Sequence, residues 1–123
     1  MLKSFLNRDF PIFLIEHFNK KKNKNKKKST HICFMVHGLN GTKNDLRNLG
    51  SILKYHCKET IFVYAEENQY KTDQSIQTQG NRLYQEICLR VLQLKKDEER
   101  MQDIRISFIA HSMGGLVVRE ALT

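Results

Sequence analysis

Apolar positions along the chain follow two periods in turn. The stretch THICFMVHG (30–38) is an almost unbroken run of β-branched, aromatic and aliphatic residues closed by Gly38, which reads as a strand buried on both faces. Asn40-Gly41 then marks a turn. Leu46, Leu49, Leu53 and Cys57 recur every three or four residues and predict a helix over roughly 43–57. Thr42 and Asp45 stand at capping-box spacing ahead of it, with Asp in place of the more usual Glu. The unit repeats: ETIFVYA (59–65) predicts a second buried strand, and Leu83, Ile87, Val91 and Leu94 line one face of a helix near 76–97. IRISFIA (104–110) predicts a third strand, and the residues from Gly115 to Leu122 a third helix. Fully apolar strands alternating with amphipathic helices imply an α/β protein whose sheet is parallel.

Ahead of this frame lie two segments of different character. Residues 1–19 form an apolar-rich leader whose stretch PIFLIEHF suits an edge strand, because Pro11 fits a strand start. Residues 20–29 are dominated by Lys and Asn, a composition expected to stay solvated and flexible because like charges repel and nothing in it can be buried. Contact with an anionic membrane surface and a nuclear-import signal are the functional readings of that tract. The apolar run Phe10–Ile15 is interrupted after six residues by Glu16, too short for a signal peptide or a membrane span.

Charge changes the picture less than its total suggests. The formal net charge is +8, but the tract from Lys20 to Lys28 holds seven of the 21 basic residues, leaving 14 against 13 acidic ones elsewhere. The basicity therefore belongs to one segment and not to a binding face. With no aromatic residues interleaved in that segment, no nucleic-acid partner is expected. Cys33, Cys57 and Cys88 are odd in number and widely spaced, so three reduced, mostly buried thiols in a cytoplasmic protein, peripheral to membranes at most, are expected.

The chemistry concentrates at two strand ends. The turn Ala110-His111-Ser112-Met113-Gly114-Gly115 follows the third strand and opens the third helix. A serine flanked by small residues is a weak signal alone, but between a buried strand and a helix it acquires a mechanism. Ser112 would project beyond the sheet, and the Met113 N–H at the helix start would face a developing oxyanion. The second motif, His37-Gly38-Leu39-Asn40-Gly41, follows the first strand. Right-handed crossovers put the C-terminal ends of parallel strands on one edge, so Leu39 can offer a second N–H there if the first and third strands are neighbours. The stretch HGLNGTK lacks the spacing of a phosphate-binding loop, which disfavours a flavodoxin-like nucleotide-binding domain. Glu66, Glu67, Asn68, Thr72 and Asp73 share that edge; they are expected to be solvated loop residues, with shaping of the pocket as the alternative reading.

The residues 30–123 resemble the serine esterase and lipase family DUF676 of the α/β-hydrolase superfamily. The likeness rests on VHGLNGTKNDL (36–46), YAEEN (64–68), GNRLYQEI (80–87) and ISFIAHSMGGLVVR (106–119), in that order. It implies a three-layer, mostly parallel sheet with the strand ending at His37 between the other two. It further implies cleavage of lipid esters with Ser112 as nucleophile and the Leu39 and Met113 amides as oxyanion hole. His37, Gly38, Ala110, His111, Gly114 and Gly115 frame the site, and no metal or other cofactor is implied.

Two departures from the family pattern stand out. Ala110 occupies the first elbow position, where Gly is usual. The family order places Asp and His after the nucleophile, and residues 113–123 contain neither. The reading is thus the N-terminal half of an α/β-hydrolase domain, truncated after the elbow and expected to be inactive as this chain alone. A non-catalytic hydrolase-like module that binds lipid or protein is the alternative. The third strand carries only Arg105 as a charge, and its free edge is expected to need further chain or a partner to cover it.

Overall fold

The computed structural model describes residues 30–97 and 103–123, together with the backbone of residues 12–17. Four strands and three helices follow in the order β1 (Ile12–His17), β2 (Thr30–Val36), α1 (Arg47–His56), β3 (Ile61–Tyr64), α2 (Ile76–Asp97), β4 (Ile104–His111) and α3 (Gly114–Ala121). The sheet order is β1-β4-β2-β3. Strands β2, β3 and β4 run parallel, with Phe34 opposite both Val63 and Phe108, and Val36 opposite Ala110. The α/β character is as the sequence pattern implies, and the place of β2 between β3 and β4 is as the family resemblance implies. The Lys20–Lys28 tract lies outside the described residues.

The alternation of side chains along β2 divides the core into two layers. Ile32, Phe34 and Val36 face α2 and α3, where they meet Phe108, Ala110, Leu83, Ile87, Val117 and Val118. Phe34 and Phe108 stack there with ring centroids 5.7 Å apart. Cys33 and Met35 face the other way, onto Leu46 with Leu49 and Leu53 of α1. A strand with both faces covered must be apolar throughout, which is why 30–36 shows no alternation.

Three expectations are corrected. The β4 edge is not open: β1 pairs with it antiparallel, from Ile12 opposite His111 to His17 opposite Ile106. Helix α1 begins at Arg47, and the Thr42/Asp45 pair organises the turn before it. Asp45 Oδ2 accepts the Thr42 N–H at 3.1 Å, while Thr42 Oγ1 accepts the Asn44 N–H at 3.3 Å and caps no helical amide. Cys33 is buried, but Cys57 is exposed just past the end of α1 and Cys88 is intermediate. Burial pushes the Cys33 thiol above its ordinary pKa, so it stays protonated.

Candidate active site

Strand β4 delivers Ala110 and His111 to the same edge as Val36 and His37, and the chain then reverses into α3. Ser112 sits at the apex with φ 54°, a left-handed conformation that a non-glycine residue holds only where its surroundings impose it. Its side chain is exposed, while Ala110, Gly114 and Gly115 around it are buried. Among the described residues Ser112 Oγ makes no hydrogen bond. The Ala110 methyl, in the place where the family carries Gly, fits with no exposed surface.

Two glycines allow β2 and the elbow to close on each other. A β-carbon on Gly114 would stand 2.6 Å from the His37 carbonyl oxygen and 2.7 Å from that of Val36. One on Gly38 would stand 2.8 Å from the His111 oxygen, 3.1 Å from Ser112 Cβ and 3.5 Å from the Met113 nitrogen. Real side chains do not approach backbone atoms so closely, so the spacing depends on hydrogen at both positions.

The two N–H groups singled out by sequence flank this contact. Met113 is the N-cap of α3 (φ −57°), where the aligned peptide dipoles favour negative charge. Leu39 follows Gly38 and is exposed. Among the described residues neither N–H donates a hydrogen bond. The direction of the Leu39 N–H is fixed from behind. The Gly38 carbonyl accepts the Gly41 N–H at 3.0 Å and the Nδ1–H of the buried His37 ring at 3.2 Å, which implies the Nδ1-protonated tautomer. Because the peptide is planar and trans, anchoring the Gly38 oxygen aims the Leu39 N–H the opposite way. His37 thus braces the turn, and its recorded bond is to Gly38 and not to Ser112. His111 closes β4, half-buried.

The loop after β3 is not the solvated segment expected from sequence. Glu67 and Asp73 are exposed, but Asn68 and Thr72 are buried. Asn68 Nδ2 donates to the Gln79 carbonyl at 3.0 Å, and its Oδ1 accepts from Arg82 at 2.8 Å. Glu86 of α2 accepts the Glu66 and Glu67 N–H groups at 2.8 and 3.2 Å. Its burial raises the carboxyl pKa above the ordinary value, partly opposed by those two bonds. Lys43 pairs with Glu66 at 2.7 Å and holds its carboxyl below the ordinary range.

Gln79 and Glu86 were missed by sequence reading, although a signal was present. They fall four residues before and three after Leu83, inside the apolar stripe of α2. A polar residue on a buried stripe is an anchor more often than an accident, because leaving it unpaired there is costly.

Among the described residues, no group of three or more His, Cys, Asp or Glu side chains is placed to hold a metal ion. Nor is any described helix long and apolar enough to cross a membrane. A family model described as "Putative serine esterase (DUF676)" matches residues 26–123, most of the chain. No solved structure matches.

Proposed function

The chain belongs to the DUF676 serine esterase family, and from that premise we propose that it cleaves carboxylic esters of lipids through an acyl-enzyme on Ser112. The observation that carries this reading is the φ of 54° at an exposed serine between a buried strand and a helix. Strain of this kind, on the order of 1–3 kcal/mol, persists only where the surroundings impose it, and it clusters at functional turns.

In the proposed reaction Ser112 Oγ bonds to the ester carbonyl carbon while its proton passes to a base. The carbonyl π pair moves to oxygen, and the Leu39 and Met113 N–H groups stabilise that oxyanion. Collapse re-forms the carbonyl and breaks the bond to the leaving alcohol, which takes up the proton. Water then repeats the sequence on the acyl-enzyme and releases the acid.

The base is the step this sequence does not supply after Ser112. His37 donates from Nδ1 to the Gly38 carbonyl and makes no hydrogen bond to Ser112 among the described residues, and no His or Asp occurs in residues 113–123. The 123 residues by themselves are therefore expected to show only the catalysis left to an oxyanion hole and binding, about 10³-fold over water in other serine hydrolases. The lack of a hydrogen-bonded base on Ser112 among the described residues favours one second reading, a hydrolase-like module that binds lipid or protein without turning it over.

Hydrolysis of a nitrophenyl ester series, with Ser112→Ala as control, separates the two. Turnover that disappears in the variant supports the esterase. Turnover that survives it refutes Ser112 as nucleophile, and ligand binding without turnover supports the module.

A further inference from the structure

The turn that carries Leu39 is tied to the segment between β3 and α2. Asn40, itself left-handed at φ 56°, donates its N–H to Thr72 Oγ1 at 2.8 Å. Thr72 is only 6% exposed, and its own carbonyl accepts from Gln79 Nε2 at 3.1 Å. Gln79 is 1% exposed in the first turn of α2 and also donates to the Gln74 carbonyl at 2.7 Å. The start of α2 is fixed in turn by Ser75, whose Oγ accepts the Thr78 N–H at 3.1 Å, the pattern of an N-cap. A second tie runs alongside, from the Lys43 N–H to Gln69 Oε1 at 2.8 Å.

These bonds bracket one peptide. The Gly38–Leu39 unit is held at its oxygen by Gly41 and His37. The next unit, Leu39–Asn40, is held at its N–H by Thr72 Oγ1. Without that second hold the Leu39 N–H keeps its direction only through the two bonds at the Gly38 oxygen, and the turn is tied at one end instead of two. A hydroxyl is the group suited to the task, since it accepts the Asn40 N–H and a methyl in its place could not.

We propose that Thr72 is a positioning residue for the Leu39 amide, acting through the Asn40 N–H to hold the turn in its oxyanion-binding conformation. The proposal rests on the esterase reading for its catalytic meaning, but the hold on the turn is a physical claim of its own. Thr72 does not touch substrate in this account. It sets the aim of a group that does.

The test compares the full chain with Thr72→Val, which keeps shape and removes the acceptor, and Thr72→Ser, which restores it. Thr72→Ala carries the same expectation where valine impairs folding. Amide exchange read by NMR should quicken roughly three- to tenfold at Asn40 in Thr72→Val, the range of one hydrogen bond. It should stay unchanged within β2 and β4 and return to the original rate in Thr72→Ser. Labelling of Ser112 by a fluorophosphonate should slow in Thr72→Val and recover in Thr72→Ser. Unchanged exchange at Asn40 overturns the proposal. So does faster exchange throughout the sheet, or an undiminished labelling rate in a variant whose turn has loosened. Labelling needs a base beside Ser112, so where the unaltered 123 residues are not labelled the exchange arm decides the role of Thr72 by itself.

Discussion

Gly38 and Ser112 pack so closely that a β-carbon on the first would stand 3.1 Å from that of the second. The distance joins the end of β2 to the turn after β4 across 74 residues of sequence. It makes the candidate site a property of two neighbouring strand ends rather than of one loop.

Glycine at this junction should therefore resist replacement. The added methyl of Gly38→Ala meets the His111 carbonyl at 2.8 Å, and that of Gly114→Ala meets two carbonyls at 2.6 and 2.7 Å. Backbone cannot give way as a side-chain end can. Each variant should lose about 1–3 kcal/mol, the usual cost of overpacking, in urea unfolding. An Ala variant as stable as the unaltered chain would contradict the close approach.

The core makes an independent prediction. Phe34 and Phe108 are fully buried and stacked across the β2–β4 pair. Phe108→Ala should cost about 3–5 kcal/mol, a large share of the 5–15 kcal/mol typical of a domain. The urea midpoint should fall with little change in slope; a loss below about 1 kcal/mol would mean the stack is not a core contact.

Glu86 should leave a signature in the pH dependence of stability. Its folded-state pKa lies above the ordinary carboxyl value of 4.5, so the folded state holds the proton more tightly than the unfolded one. The sign follows from linkage: this contribution is fully present below about pH 4.5 and is lost as pH rises through the raised value. Glu86→Gln should remove that falling component from a stability-versus-pH curve. A component of opposite slope would contradict the assignment.

Much of this frame was legible in the sequence, for a physical reason. Strands covered on both faces must be apolar throughout, so 30–36 and 104–110 announce themselves, and the stripe Leu83–Leu94 marks α2 at its observed bounds. The elbow was legible because its small residues sit between a strand and a helix. What sequence concealed depends on partners distant along the chain. Asn68 and Thr72 look like solvated loop residues until Gln79, Arg82 and Asn40 are brought to them. The pairing of β1 with β4 was hidden for a similar reason, since an apolar hexapeptide does not state which edge it will join.

The Lys20–Lys28 tract supports a prediction from charge alone. Seven lysines near an anionic membrane contribute about 1 kcal/mol each, less whatever salt screens. Binding to phosphatidylserine-containing vesicles should weaken as salt rises and vanish on deletion of residues 20–28. Binding that ignores salt, or survives the deletion, would exclude the tract as a membrane contact.

The central claim is that Ser112 is a nucleophile. Its most direct test is to treat the native protein, taken from its own cells, with a fluorophosphonate and locate the adduct by peptide mass spectrometry. The account predicts one adduct, on Ser112, absent from the Ser112→Ala protein. An unmodified Ser112 under conditions that label other serine hydrolases, or an adduct on another residue, would contradict it.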